Sequence, residues 1–152
     1  MAEGMLRPIA QGASYPSLAG KKVIISGGGS GIGEGIVEGF VRQGAAVAFV
    51  DIEAELSEAL VARLGDAEIP PIFAHCDITR SADYTARIEE LIGKLGGCDV
   101  LVNNAANDDR HTVEDVTEAY WDERMAVNLK HQFFAARAAI PAMRAGGGGS
   151  RA

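Results

Sequence analysis

At 152 residues the chain has the length of one domain, and a domain of that size buries roughly 68–70% of the surface its unfolded chain exposes. A hydrophobic content of 47% and a charged content of 23% exclude a disordered or fibrous chain, and no run of about 18 apolar residues offers a membrane-spanning helix. The net charge of -7, without a Lys/Arg cluster, supplies no electrostatic footprint for nucleic acid or an anionic membrane.

Residues 1–18 lack the basic start and apolar core of a secretory signal and read as a flexible tail. Lys22–Ser26 is a short β-branched run, hence a strand, and it meets a glycine cluster. From Gly31 to Gln43 the apolar residues Ile32, Ile36, Val37, Phe40 and Val41 follow a helical period, and Gly44 caps the end. Ala46–Val50 is the second strand, completing a βαβ unit. A helix over Ala54–Leu64, a turn at Pro70 and Pro71, a strand over Ile72–Cys76, a helix over Ala82–Leu95 and a strand over Val100–Val102 repeat the pattern. Parallel pairing demands such long crossovers, so the fold class is α/β: a doubly wound, Rossmann-like parallel sheet.

After Val102 come a polar loop to Val116, one long helix from about Glu118 to Arg144, and the run Gly146–Ser150. That run reads equally as a flexible linker or as a helix-to-strand turn. The expected organisation is a tail at 1–18, a dinucleotide-binding half-domain at 19–145 and a glycine-rich end at 146–152, the sheet stopping after its fourth strand and the long helix. With strand order 3-2-1-4 the fourth strand is expected at an exposed edge that invites self-association. Cys76 and Cys98 lack a CxxC spacing, and His75, His111 and His131 show no ligand pairing. No disulfide framework or metal site is expected, and a reduced, cytoplasmic setting follows.

The glycine cluster Gly27-Gly28-Gly29-Ser30-Gly31-Ile32-Gly33 misses G-x-G-x-x-G, and Glu34 stands where a P-loop needs lysine. It fits G-x-x-x-G-x-G on Gly27, Gly31 and Gly33. Glycines there let backbone amides approach a pyrophosphate, and the helix beginning near Gly31 directs its dipole at the anion. A tight turn without a ligand is the plain alternative. The strand before, the helix after, and Asp51 ending the second strand favour the dinucleotide. Asp51, followed by Ile52, can accept hydrogen bonds from a ribose and would repel the extra phosphate of NADP, which favours NAD. Its plainer role is a helix N-cap.

Together with Asp77-Ile78 after the third strand, Asn103-Asn104-Ala105-Ala106 after the fourth and Val127-Asn128-Leu129 in the long helix, these residues closely resemble the short-chain dehydrogenase/reductase family from Leu18 to Ser150. The resemblance implies NAD contacts at Gly27, Ser30, Gly31, Ile32, Gly33, Asp51, Ile52, Asp77, Ile78, Asn104, Ala105, Ala106 and Val127. Asp77 and Ile78 would flank the adenine, and Asn128 would be the catalytic asparagine that supports a water in the proton relay. Ala106 stands where the family has glycine. Simpler roles are a strand-end turn for Asp77 and a cross-sheet hydrogen bond for Asn128.

Tyr15-Pro16-Ser17-Leu18, Asn107–His111 and Tyr120–Arg124 carry a narrower resemblance, to the family's NAD-dependent dehydrogenases of D-xylose and related sugars. Those enzymes pass hydride between NAD and a secondary alcohol, taking an aldose to its lactone. A charged surface loop explains Asp108–His111 as well. The family's chemistry also needs a serine, a tyrosine and a lysine four residues after the tyrosine. Here Tyr15 is followed at that spacing by Ala19, Tyr84 by Ile88 and Tyr120 by Arg124, and Ser150 falls where the fifth strand would begin. The chain is therefore expected to be a truncated oxidoreductase, inactive alone, with a small-molecule substrate in its full-length relative and a homo-oligomeric contact through the long helix. The alternatives are a non-catalytic NAD-binding or interaction module and a 3-oxoacyl carrier-protein reductase-like enzyme. Asp51 disfavours the latter, whose relatives take NADP.

Overall fold

The computed structural model describes residues 12–151. The strands are β1 (Lys22–Ser26), β2 (Ala46–Asp51), β3 (Ile72–His75), β4 (Val100–Asn103) and β5 (Ser150–Arg151). The helices are α1 (Gly31–Arg42), α2 (Ala54–Arg63), α3 (Ser81–Leu95), α4 (Glu118–Met125) and α5 (His131–Ala145). All strand pairs are parallel, in the order β3-β2-β1-β4-β5. β1 is the central strand, and its Val23, Ile24 and Ile25 are fully buried, as a strand covered on both faces requires.

Alternation along the strands divides the core into two layers. Val23, Ile25, Val47 and Phe49 pack with Val37, Val41 and Leu60 of α1 and α2. Ile24, Ala48, Val50 and Leu101 pack with Tyr84, Ile88 and Leu91 of α3 and with Ala135 and Ala139 of α5. Tyr84, Ile88 and Leu91 follow the i, i+4, i+7 spacing of one helix face. Each large apolar side chain buried in this way contributes about 1.5–3 kcal/mol relative to exposure. α3 closes on Gly96 at φ 72°, with Gly97 N donating to Ile92 O at 2.9 Å, the left-handed C-terminal arrangement that glycine allows.

The expected doubly wound sheet is present, with three differences. A fifth strand follows the fourth, so β4 is paired at Val100 and Leu101 by β5. Gly146–Gly149 is the turn between α5 and β5: Gly148 N donates to Met143 O at 2.9 Å. A Cβ on Gly149 would lie 2.6 Å from Met143 Cγ and 2.9 Å from Asp99 O. The long helix is not continuous, because a π turn over Ala126–Lys130 separates α4 from α5. Part of the expected tail is also engaged. Pro16–Leu18 forms a 3-10 turn, Tyr15 N donates to Gln43 Oε1 at 2.8 Å, and Gln43 Nε2 donates to Ala13 O at 3.2 Å. The rest of that tail, residues 1–11, lies outside the described residues.

Candidate cofactor site

The C-terminal ends of β1 to β4 open into a cleft of about 730 Å³, where parallel α/β sheets bind their ligands. The floor is built from the first strand-to-helix turn. Gly27 adopts φ 71° and continues from β1 with its N–H on Val50 O at 2.8 Å. A Cβ on Gly33 would stand 1.7 Å from Gly27 O, so the first turn of α1 reaches the loop only because that position has no side chain. Ser30, at the N-cap of α1, makes no side-chain capping bond, which leaves first-turn amides available to an anion.

Asp51 ends β2 on one side of this turn. Its Oδ2 accepts from Gly29 N at 2.8 Å and its Oδ1 from Glu53 N at 2.9 Å. The N-cap of α2 is Glu53, not Asp51, so the carboxylate ties the glycine turn to the start of α2 while keeping lone pairs toward the cleft. Asp77 is held similarly: Oδ1 accepts from Thr79 N at 2.9 Å and from Thr79 Oγ1 at 2.7 Å. Those bonds hold its carboxyl below the usual carboxylate range. Ile32 and Ile52 line the cleft while 80% and 59% exposed, apolar walls of the kind that cover a flat ring.

On the opposite side, β4 runs into Asn104–Ala106. Asn104 Nδ2 donates to Gly27 O at 2.8 Å, and the Asn104 and Ala105 amides both donate to Ser26 Oγ at 3.2 Å. Beyond them Asn107 N donates to Asn128 Oδ1 at 2.8 Å, and Asn128 Nδ2 donates back to Asn107 O at 2.9 Å. The π turn sets Asn128 against this loop, and Gln132 Nε2 donates to the Asn128 carbonyl at 2.8 Å.

Of the residues expected at the site, Gly27, Ser30, Ile32, Gly33, Asp51, Ile52, Asp77, Ile78, Asn104, Ala105, Ala106 and Val127 all line the cleft. Gly31 and Asn128 do not. Gly31 starts α1 at φ 56°, and Asn128 acts on the cleft through Asn107. Cys76, Thr79, Asn107, Asp108 and Glu123 also line it and were not anticipated. Asp108 and Asn107 belong to the loop whose motif was visible, but Cys76 and Glu123 reach the cleft only through the packing of β3 and α4. Burial pushes the Cys76 thiol pKa up, so it is not an activated nucleophile. Among the described residues, the charged ones in the lining are Asp51, Asp77, Asp108 and Glu123, with no lysine or arginine.

A glycine turn at a helix N-terminus, a carboxylate ending β2 and an asparagine-held loop thus converge at the C-terminal ends of one parallel sheet. The sequence matches the short chain dehydrogenase profile over residues 21–150, and the chain belongs to that family. It is 52% identical over 138 residues to D-xylose 1-dehydrogenase of Caulobacter vibrioides, covering 91% of this chain and 54% of that protein. It is 48% identical over 142 residues to the "Probable galactose dehydrogenase GalD" of Rhizobium meliloti, again covering 91% and 54%. The chain thus spans about half the length of either relative. Among solved structures, an NADH-dependent reductase complexed with NAD superposes with a TM-score of 0.75 at 28% identity, covering 86% of this chain and 55% of that one.

Proposed function

We propose that this chain is the NAD-binding part of a sugar dehydrogenase that oxidises a cyclic aldose to its lactone. The observation that carries the cofactor choice is the charge of the cleft: among the described residues, four carboxylates and no lysine or arginine line it. A ribose diol can donate to Asp51, whereas a 2′-phosphate would meet that carboxylate without a compensating lysine or arginine. The residues fit the group. Gly27, Ser30 and the first turn of α1 would hold the pyrophosphate, Asp51 the adenosine ribose, Asp77 and Ile78 the adenine edge, and Asn104–Ala106 the nicotinamide side. Bound NAD supplies the hydride acceptor. Asn128 keeps the Asn107 loop in place on the reacting side and would support the proton-relay water. The sugar assignment is supported by the D-xylose and galactose relatives.

The decisive measurement is calorimetric titration with NAD and NADP in parallel. NAD is expected to bind and NADP to bind at least about tenfold more weakly, since a desolvated like-charge contact costs more than about 1.4 kcal/mol. Equal affinities would overturn the cofactor assignment. The chain alone is expected not to oxidise D-xylose, since it carries no Y-x-x-x-K pair, and turnover by it would contradict the reading.

An association role is favoured by one further feature. Trp121, Met125, Leu129 and Phe133 are exposed at four-residue steps along α4, the π turn and α5, and we propose that this stripe docks a second copy of the chain. The two buried free thiols, Cys76 and Cys98, fit a reducing, cytoplasmic setting.

A further inference from the structure

The wall of the cleft made by the Asn107–His111 loop and α4 has no apolar anchor. Within α4 only Tyr120 and Arg124 are half-buried, and its other residues are exposed, as are Asp108 to His111 of the loop. Segments with so few buried apolar contacts open easily. Yet this wall reaches the cleft through Asn107 and Asp108 of the loop and Glu123 of α4, so something else must hold it.

Polar contacts take the place of the missing core. Tyr120 Oη and His111 Nδ1 share a hydrogen bond at 2.8 Å, and the two rings meet edge to face with 4.9 Å between centroids. One helical turn on, Arg124 Nη2 donates to Asp109 Oδ2 at 3.2 Å, and Arg124 Cζ lies 4.7 Å from the centroid of the Tyr120 ring. The i, i+4 spacing of Tyr120 and Arg124 puts both on one helix face. Asp109 passes the constraint on: its N–H donates to Asn107 Oδ1 at 3.0 Å, and Asn107 carries the pair of bonds to Asn128. Asp108 therefore lies between two held residues. An ion pair between two exposed, mobile side chains holds little, but the Arg124 side chain is only 17% exposed. Its Nε and Nη1 are buried without an acceptor among the described residues, which disfavours a guanidinium here. The contacts to Tyr120 and Asp109 are what the placement returns.

We infer that Tyr120 and Arg124 are positioning residues that hold the Asn107–His111 loop at the nicotinamide end of the cleft. The inference rests on the NAD-binding reading above, in which Asn104–Ala106, the segment leading into this loop, takes the nicotinamide side. A wall ordered in advance spares the ligand the cost of ordering it, and a wall in place for only a fraction of the time weakens affinity by that fraction. The adenosine side is built on other elements, with Asp51 ending β2 and Asp77 following β3, so loosening α4 acts on one half of the cofactor.

The test compares NAD with ADP-ribose, which is NAD without its nicotinamide, by calorimetric titration of the parent chain, Arg124→Met and Tyr120→Phe. In both variants NAD affinity is expected to fall about three- to tenfold, as for a loop in place about a tenth to a third of the time, while ADP-ribose affinity stays within about twofold. Backbone amide relaxation measured by NMR is expected to show lower order parameters at Asp108–His111. Unchanged NAD affinity overturns the inference, as do unchanged order parameters or an equal loss for both ligands, the mark of general destabilisation. Should Arg124→Met fail to fold, Asp109→Ala removes the same ion pair from an exposed position and decides in its place by the same measurements. If the parent chain binds no NAD the cofactor reading falls, and the order parameters alone decide whether α4 holds the loop: lower values in the variants support it, and unchanged values overturn it.

Discussion

Gly33 shows how a single missing side chain fixes the site. The Gly27 carbonyl occupies the space a Cβ would need, at 1.7 Å, and Asn104 Nδ2 stands 2.6 Å from the same point. Backbone and a held amide cannot yield as the tip of a flexible side chain would. Gly33→Ala is therefore expected to destabilise the fold by about 1–3 kcal/mol, the usual cost of overpacking a filled site, and to abolish NAD binding. Urea unfolding and cofactor titration measure the two effects. Gly31→Ala is the control: its Cβ position is open, and only its φ of 56° carries strain. These glycines and Asp51 were legible in the sequence because their roles are local, set by a strand, a turn and a helix within one βαβ unit. The role of Ser26 was not, because its partners, the Asn104 and Ala105 amides, are brought to it by the register of β1 with β4.

The same contrast holds for whole elements. The first four strands and the first three helices lie within two residues of their expected bounds, since β-branched runs and helical apolar spacing are strong short-range signals. The break in the long helix left no such signal: Ala126–Lys130 continues a plausible helical pattern, and only the folded chain shows the π turn that carries Asn128 with its two bonds to Asn107. A π turn inside an α-helix often marks a functional position. His131 begins α5 just after it and is fully buried. Burial lowers its pKa below the ordinary 6.5. The unfolded chain therefore takes up the proton first as pH falls. The contribution of neutral His131 is fully present above about pH 6.5, declines below it, and levels off once the folded pKa is passed. Urea midpoints for the parent chain and for a His131→Asn variant, measured from pH 7.5 to 5, are expected to converge as pH drops. Parallel curves would show that the imidazole does not carry this dependence.

At the scale of the molecule two surfaces compete to explain self-association. The sequence pointed both to the long helix and to the β4 edge, where Val100 and Leu101 would be open to another strand, but β5 pairs with both of these residues. The apolar stripe along α4, the π turn and α5 has no such cover among the described residues: Trp121 is 59%, Leu129 55% and Phe133 65% exposed. The helix was expected as a contact from the sequence, but the residues of the stripe were not legible, because the same side chains could equally have faced the sheet. Each such side chain contributes about 1.5–3 kcal/mol when fully buried, so a few pairs meeting across a two-fold axis supply most of a micromolar contact before the costs of association. Sedimentation velocity over a concentration series is expected to show a dimer whose population falls in Leu129→Glu and Phe133→Glu. These variants leave β4, β5 and the cleft untouched, so NAD affinity should be retained. If association survives both substitutions and is lost instead when Leu101→Lys disturbs the pairing of β4 with β5, the sheet edge is the contact and the helix stripe is not.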